Sequence, residues 1–298
     1  MTDAVAPQTP ETMRRRLRLA LKGAREAAKL TQREAAQPLE WSVSKIIRIE
    51  KGLVGISTTD LKALLEVYDI TDEAEVNKLL ELARGSRKQS WSEYREVYLP
   101  TSLTLFGSEG AASKIKKYEP TFIPGLFQTE EYARALLIGL GHSSERVDAM
   151  VRARMERQEL LDRDTRPDLQ FIIGEAALSR RVGNSGVMRH QLRHIRELSG
   201  LPGIEVQVLN LDAGAHPKMG GAFTILEFAD PNLDELLYLE DASGEKLTRE
   251  DAPLVAEYLE AFDDLQRIAL PVKESESRLD EIAASKFAVD PRKTPYKK

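Results

Sequence analysis

Cysteine is absent from this 298-residue sequence, which excludes disulfides, zinc fingers and cysteine nucleophiles. Histidine occurs only four times, so we predict no metal site and no other cofactor. No stretch reaches the roughly 18 apolar residues that a membrane helix needs. The polar first ten residues also lack the apolar segment of a secretory signal. We therefore expect a cytoplasmic protein that makes no membrane contact.

An excess of basic charge is also missing from the chain as a whole, whose net charge is −5. One segment differs in charge from the chain as a whole. Residues 11–51 hold eleven Lys or Arg against five Asp or Glu, a net charge of +6, whereas residues 89–298 carry −8. A basic segment in an acidic chain indicates a local contact with a polyanion. On charge alone, the alternative is a solvated basic helix surface.

Five short helices are predicted between residues 12 and 84, each with an apolar stripe at helical spacing. Thr31 and Glu34, three residues apart, have the pattern of a capping box. Ser42 and Ser57 are typical N-cap residues for the third and fourth helices, and the fifth helix follows Thr71. We therefore predict an all-α domain over residues 12–85, after a disordered leader (1–11) and before a linker (86–90).

Residues 91–272 mix strand and helix patterns, which predicts a mixed α/β domain. The strand candidates are residues 171–173, 204–209, 223–228 and 236–239. A helix over 184–199 separates the first two and predicts a strand–helix–strand crossover, and the last two are close enough to form a hairpin. Helices are also expected at residues 109–118, from Thr129 to about 140, at 145–163 and around 255–265. The C-terminal residues 273–298 are predicted to form a helix and a disordered tail.

Residues 30–52 carry the functional signal. They contain two capped helices of about two turns each, joined by a tight connection. Ala35 and Ala36 are small enough to let the helices cross closely, and Ile46 and Ile49 point inward from the second. This arrangement is typical of a helix-turn-helix. The alternative is an ordinary helical bundle in which the polar residues form a solvated surface.

A recognition helix at about residues 42–50 would enter the major groove of duplex DNA, with its first residues at the base edges. Val43 offers apolar contact to a thymine methyl, and Arg48 can bond a guanine or a phosphate. Gln32, at the start of the preceding helix, can meet a phosphate or brace a base contact. The predicted DNA-binding residues are Gln32, Arg33, Ser42, Val43, Ser44, Lys45 and Arg48. Four arginines of the first helix could reach phosphates: Arg14, Arg15, Arg16 and Arg18.

Residues 32–36 (QREAA), 42–46 (SVSKI) and 48–52 (RIEKG) resemble the helix-turn-helix of the phage-repressor and xenobiotic-response-element family of transcriptional regulators. The resemblance implies that Gln32, Val43, Ser44 and Arg48 face DNA and that Glu50 is structural. This chain departs from the family twice. Glu40 stands where the family often has glycine in the turn, and Pro38 is expected to end the second helix early.

Further blocks resemble an actinobacterial group of helix-turn-helix regulators that have a large, antitoxin-like C-terminal domain of unknown function. They are residues 91–94 (WSEY), 118–120 (YEP), 123–134 (IPGLFQTEEYAR), 213–216 (AGAH) and 223–228 (FTILEF). The resemblance implies a transcriptional regulator that is often paired with a small protein encoded by a neighbouring gene.

An enzymatic alternative rests on His216 and Lys218, which resemble half of a phospholipase-D-like site with a His nucleophile and a phosphate-binding Lys. That chemistry needs two copies of the motif and an Asp beyond the Lys, and the sequence has neither. We therefore predict no catalytic residues, and a degenerate enzyme stays the weaker alternative. Glu175, Arg180 and Arg181 follow a predicted strand end, where ligand sites of α/β domains lie. With His216 they form a possible ligand or partner site.

The sequence thus predicts a multidomain protein, with an all-α five-helix repressor-type helix-turn-helix domain followed by a mixed α/β C-terminal domain. The predicted function is sequence-specific binding of double-stranded DNA to regulate transcription, expected as a homodimer on symmetric half-sites. The C-terminal domain is expected to sense an effector, recruit a partner or dimerise. The alternative is an antitoxin-like protein that acts mainly by binding a small partner from a neighbouring gene.

Overall fold

A computed structural model describes residues 9–51, 54–86, 91–216, 218–230, 233–241 and 244–288. Residues 1–8 of the predicted leader, linker residues 87–90 and the predicted tail from residue 289 lie outside these ranges, as do Gly52 and Pro217. The prediction of a disordered leader as far as residue 11 is wrong at its end, because Pro10 and Glu11 begin the first helix and Thr9 caps it. The chain divides into two compact units. The first comprises residues up to Ser92 with Phe106–Ala111 and Ala229–Leu233, and the second comprises the remainder.

Five α-helices precede residue 87 in the described part of the chain, as predicted. They are α1 (Pro10–Ala27), α2 (Gln32–Ala36), α3 (Val43–Glu50), α4 (Thr58–Val67) and α5 (Glu73–Gly85). Thr31 and Glu34 form the predicted capping box, and Ser42 and Ser57 accept hydrogen bonds from amides of the next helix. The fifth helix is capped by Asp72, one residue after Thr71.

The core of the first unit is built from one apolar face of each helix. Leu21, Ile46 and Leu61 are completely buried, and Ile49 is 4% exposed. Ala35 and Ala36 are buried at the crossing of α2 and α3, where a larger side chain would hold the helices apart. The inward orientation predicted for Ile46 and Ile49 is confirmed.

The connection between α2 and α3 follows the two departures from the family pattern. Pro38 lies in a 3-10 turn, Gln37–Leu39, so α2 ends at Ala36, earlier than a continuous helix would. Glu40 then adopts the left-handed conformation, with φ 53° and ψ 31°. Glycine takes this conformation without steric cost, which explains why it is the usual residue there.

The second unit is a mixed α/β fold. Its described strands are β1 (Lys114–Glu119), β2 (Asp168–Gly174), β3 (Ile204–Leu209), β4 (Ala222–Glu227), β5 (Leu236–Asp241) and β6 (Gly244–Thr248). α6 (Pro100–Glu109) is divided between the two units at Phe106. The helices of the second unit are α7 (Glu130–Gly139), α8 (Ser144–Gln158), α9 (Glu175–Ser179), α10 (Ser185–Leu198), α11 (Ala252–Ile268) and α12 (Val272–Lys286). The predicted fold class, a helical domain followed by a mixed α/β domain, is confirmed.

The strands form one sheet in the order β3-β2-β1-β4-β5-β6. β1, β2 and β3 are parallel, and the remaining pairs are antiparallel. The predicted crossover is present, because α10 lies between parallel β2 and β3, and Asn184 caps it. The predicted hairpin is β4 and β5. The predicted cap Thr129 begins α7.

The prediction of a helix over residues 109–118 is wrong. Its second half is β1, a central strand between β2 and β4. The lysines of this strand made the segment look like a solvated helix in the sequence. Lys116 can lie in a sheet because its ammonium nitrogen is 3.0 Å from a Glu227 carboxylate oxygen and lies over the Phe262 ring. Strand β6, with a single apolar residue, was not predicted.

Helices cover both faces of the sheet. Ile172 and Phe223 pack with Phe262 of α11 on one face. Phe171 points to the opposite face, as alternation requires, where its ring lies 4.5 Å from that of Phe127. α12 packs against α10 and the edge strand β3, where Ser275 Oγ accepts the Val208 amide at 2.9 Å. This contact covers an edge that would otherwise be open to pairing.

Of the helices that the structure describes, none has both the length and the apolar character needed to cross a bilayer.

Candidate nucleic-acid interface

The exposed surface of α3 is formed by its first turn and by Arg48. Ser42 is the helix cap, with extended φ and ψ of −70° and 142°, and its Oγ accepts the Lys45 amide at 3.3 Å. Val43 is 37% exposed, and Ser44 beside it is also exposed. These three residues present a hydroxyl, an isopropyl group and a second hydroxyl at the start of one helix.

Arg48 lies one turn further along the same face. Its Nε donates to the Ser44 carbonyl oxygen at 3.3 Å, which directs the exposed guanidinium back along the helix towards the first turn. Val43, Ser44 and Arg48 are thus grouped on one exposed surface, opposite the buried Ile46 and Ile49. Arg33, on α2, is exposed as well.

Gln32 is braced from inside the domain. Its Nε2 donates to Glu50 Oε2 at 2.8 Å. Glu50 is buried and accepts two further bonds from Arg25, at 2.6 Å from Nε and 3.2 Å from Nη2. The hydrogen bond to Glu50 raises the pKa of the Arg25 guanidinium. The structural role that the family resemblance implies for Glu50 is confirmed.

This network joins α1, the start of α2 and the end of α3. Arg25 Nη1 also donates to the carbonyl oxygen of Leu30 at 2.8 Å, in the connection before α2. Charged hydrogen bonds are directional and strong when water is excluded. Arg25, Gln32 and Glu50 therefore set the relative orientation of α1, α2 and α3. Sequence reasoning did not identify Arg25, because its partner lies 25 residues away.

Lys45 differs from its neighbours on α3. Its Nζ lies 3.1 Å from Asp60 Oδ2, in the first turn of α4, and 3.5 Å from the centroid of the Trp41 ring. The ammonium group is therefore held within the domain.

The arginines of α1 are also engaged or buried. Arg14 donates to the Ser86 carbonyl oxygen at 2.8 Å, and Arg16 forms a 2.9 Å ion pair with Asp230. Arg18 donates to the Lys51 carbonyl oxygen at 3.2 Å. The expectation that Arg15 reaches a phosphate is wrong, because the residue is only 3% exposed.

The sequence suggests a ligand or partner site at Glu175, Arg180, Arg181 and His216. These residues lie in different surroundings. Glu175 is buried at the start of α9, and its Oε1 accepts from Arg278 Nη2 of α12 at 2.6 Å. This hydrogen bond to Glu175 raises the pKa of the Arg278 guanidinium. Arg180 and Arg181 are exposed. The Glu175 carboxylate thus holds α12 in place, a role that depends on a residue 103 positions away.

His216 lies in the loop after β3, with Nε2 3.2 Å from the hydroxyl of Tyr118. Burial raises the pKa of Tyr118 to about 12, so this phenol is neutral at physiological pH. Lys218 forms an ion pair with Glu257 and lies over the Tyr258 ring, 4.5 Å from its centroid. The hydrogen bond to Glu257 raises the pKa of Lys218. Both side chains therefore attach their loop to the sheet and to α11.

Two family models match the chain. The model described as "Helix-turn-helix domain" matches residues 16–79, which contain α2, α3 and the connection between them. The model described as "Domain of unknown function (DUF5753)" matches residues 103–281, more than half of the chain. No curated protein matches the chain, and no solved structure matches it.

The helix-turn-helix match agrees with the geometry of α2 and α3 and supports a DNA-binding regulator. The longer match agrees with the prediction of a large C-terminal domain of unknown function. The chain therefore belongs to the DUF5753 family, and in this member a helix-turn-helix domain precedes the family domain.

Proposed function

We propose that this protein is a sequence-specific transcriptional regulator of the phage-repressor and xenobiotic-response-element type, with α3 in the major groove of duplex DNA. One observation carries the proposal. Val43, Ser44 and Arg48 are exposed together on one face of α3, while the opposite face is buried in the core. A helix fixed in this way can present side chains to base edges without losing orientation.

Each exposed residue has a chemical role in this proposal. Arg48 has the donors for two bonds to a guanine, and Val43 has the methyl groups for apolar contact with a thymine. Ser44 can donate to or accept from a base edge, and Ser42 and Arg33 contact phosphates. Gln32 braces this surface through its bond to Glu50.

The C-terminal domain is proposed to sense an effector, to bind a partner such as a small protein from a neighbouring gene, or to dimerise. A homodimer would place two α3 helices on symmetric half-sites. We propose no catalytic role for the region around His216, because the ion pair of Lys218 with Glu257 occupies the ammonium that a phosphate would need. The protein would act in the cytoplasm, on the nucleoid.

The test is selection of binding sites from a random duplex library, followed by fluorescence anisotropy on the enriched and scrambled duplexes. We expect a defined sequence to be enriched. Arg48→Ala and Ser44→Ala should each weaken binding to it by about 1–3 kcal/mol if they contact bases. Lys78→Ala, which removes an exposed positive charge from α5, is the control and should have a much smaller effect.

Failure to enrich any sequence would contradict the proposal. Equal losses on enriched and scrambled DNA would reassign the substituted residue to phosphate contact. Addition of the neighbouring-gene protein to the same assay tests the partner. If it binds the regulator while no DNA sequence is enriched, sequestration becomes the main function.

A further inference from the structure

Lys45 is the third residue of α3, directly after the pair that we propose to contact bases. A lysine at this point in a DNA-binding helix would ordinarily be free to reach a phosphate. Here its ammonium nitrogen is 3.1 Å from Asp60 Oδ2 and 3.5 Å above the Trp41 ring. Its side chain is only 33% exposed, and that of Asp60 is 37% exposed.

The Asp60 carboxylate is not needed to cap its own helix. The cap of α4 is Ser57, whose Oγ accepts the Asp60 amide at 2.9 Å. That bond uses the backbone of Asp60 and leaves both carboxylate oxygens for other partners. One of them, Oδ2, accepts from the Lys45 ammonium group.

Two weak attractions act together on the ammonium group. One is a partly exposed ion pair, and the other is the contact of a cation with a tryptophan ring. A phosphate contact by Lys45 would have to replace both. It would also remove the ammonium partner of the Asp60 carboxylate, and an acidic group beside the DNA backbone repels phosphates.

We propose that Asp60, with Trp41, is a determinant of DNA affinity that holds Lys45 away from the phosphate backbone and so limits sequence-independent binding. This inference rests on the proposed function. It makes Asp60 a residue that acts through Lys45 and contacts no base. The regulator would then depend more on the base contacts of Val43, Ser44 and Arg48 than on backbone charge.

The experiment measures binding of the full-length protein to a random-sequence duplex by anisotropy over a range of salt concentrations. Asp60→Asn keeps the shape of the side chain and removes its charge, so we expect about three- to tenfold tighter binding. The slope of log K against log salt should steepen by about 0.9, the value for one additional phosphate contact.

Glu66→Gln is the matched control, because Glu66 is an exposed acid on the same helix and its loss changes the net charge equally. It should give a smaller gain and an unchanged slope. The double variant Asp60→Asn/Lys45→Met should lose the gain of Asp60→Asn. Thermal unfolding of each variant verifies that the fold is retained.

Equal gains from Asp60→Asn and Glu66→Gln would overturn the inference, since the effect would then be general charge. A gain that persists without Lys45 would also overturn it. If the wild-type protein binds the duplex and Asp60→Asn changes neither the affinity nor the salt dependence, this inference alone is refuted. Wild-type protein that binds no DNA refutes the proposed function, and this inference with it.

Discussion

Substitution of Arg25 by methionine tests the buried network behind the recognition helix. The guanidinium makes three bonds, at 2.6 and 3.2 Å to Glu50 and at 2.8 Å to the Leu30 carbonyl oxygen. Without it, the Glu50 side chain, 5% exposed, keeps only the Gln32 amide among these partners. Loss of one member of a buried ion pair leaves an uncompensated charge, so we expect the free energy of unfolding to fall by about 3–5 kcal/mol.

The second variant separates the charge from its surroundings. In Arg25→Met/Glu50→Leu both charges are replaced by apolar side chains of similar size, and such replacements are often neutral or stabilising. The double variant should therefore recover most of the lost stability. Lys22→Met is the control, because Lys22 and Glu26 are 4.0 Å apart and about half exposed. It should change stability by about 0–0.5 kcal/mol.

The assay is denaturant unfolding followed by tryptophan fluorescence. The chain has two tryptophans, Trp41 and Trp91, and both belong to the first compact unit. The signal therefore reports on the unit that contains Arg25 even if the second unit unfolds separately. A loss below about 1 kcal/mol for Arg25→Met, against the 3–5 kcal/mol expected for a buried pair, would refute the reasoning. A double variant as unstable as the single one would do the same.

Two further predictions concern Glu40 and Tyr68 of the first unit, and Tyr132 of the second unit is the comparison for Tyr68. Glu40→Gly should raise the free energy of unfolding by about 0.5–1 kcal/mol, because Glu40 has a φ of 53° that glycine adopts without strain; an unchanged unfolding midpoint would show that the glutamate is not strained. Tyr68→Phe should be neutral or stabilising by about 1 kcal/mol, because the buried hydroxyl has no hydrogen-bond partner among the described residues. Its counterpart Tyr132→Phe should destabilise by about 1–3 kcal/mol, since the Tyr132 hydroxyl accepts the buried Ile123 amide at 3.2 Å. Equal effects of the two tyrosine substitutions on thermal unfolding would contradict this prediction.

Local signals in the chain predicted the helical domain well. A capping bond joins residues two or three positions apart, so the residues alone specify where a helix begins. Thr31, Ser42 and Asn184 each begin a helix as predicted. The apolar period within one helix is also local, and it correctly identified Ile46 and Ile49 as core residues.

Strands were harder to predict, because a strand is stabilised by partners elsewhere in the chain. The lysines of β1 favour a solvated helix when read alone. The strand exists because it pairs with β2 and β4, which follow it by about 50 and 110 residues. Strand β6 has no apolar alternation and depends on its pairing with β5.

The candidate interface divides in the same way. The order of residues determined by itself that Ser44 and Arg48 share one face of a helix, because helical geometry is periodic. Only the tertiary structure decided which neighbouring side chains are held within the domain. Gln32 bonds Glu50, 18 residues away, and Lys45 pairs with Asp60 across two helices. Ion pairs and buried hydrogen bonds form between whichever groups the packed helices bring together, and that packing depends on the entire core.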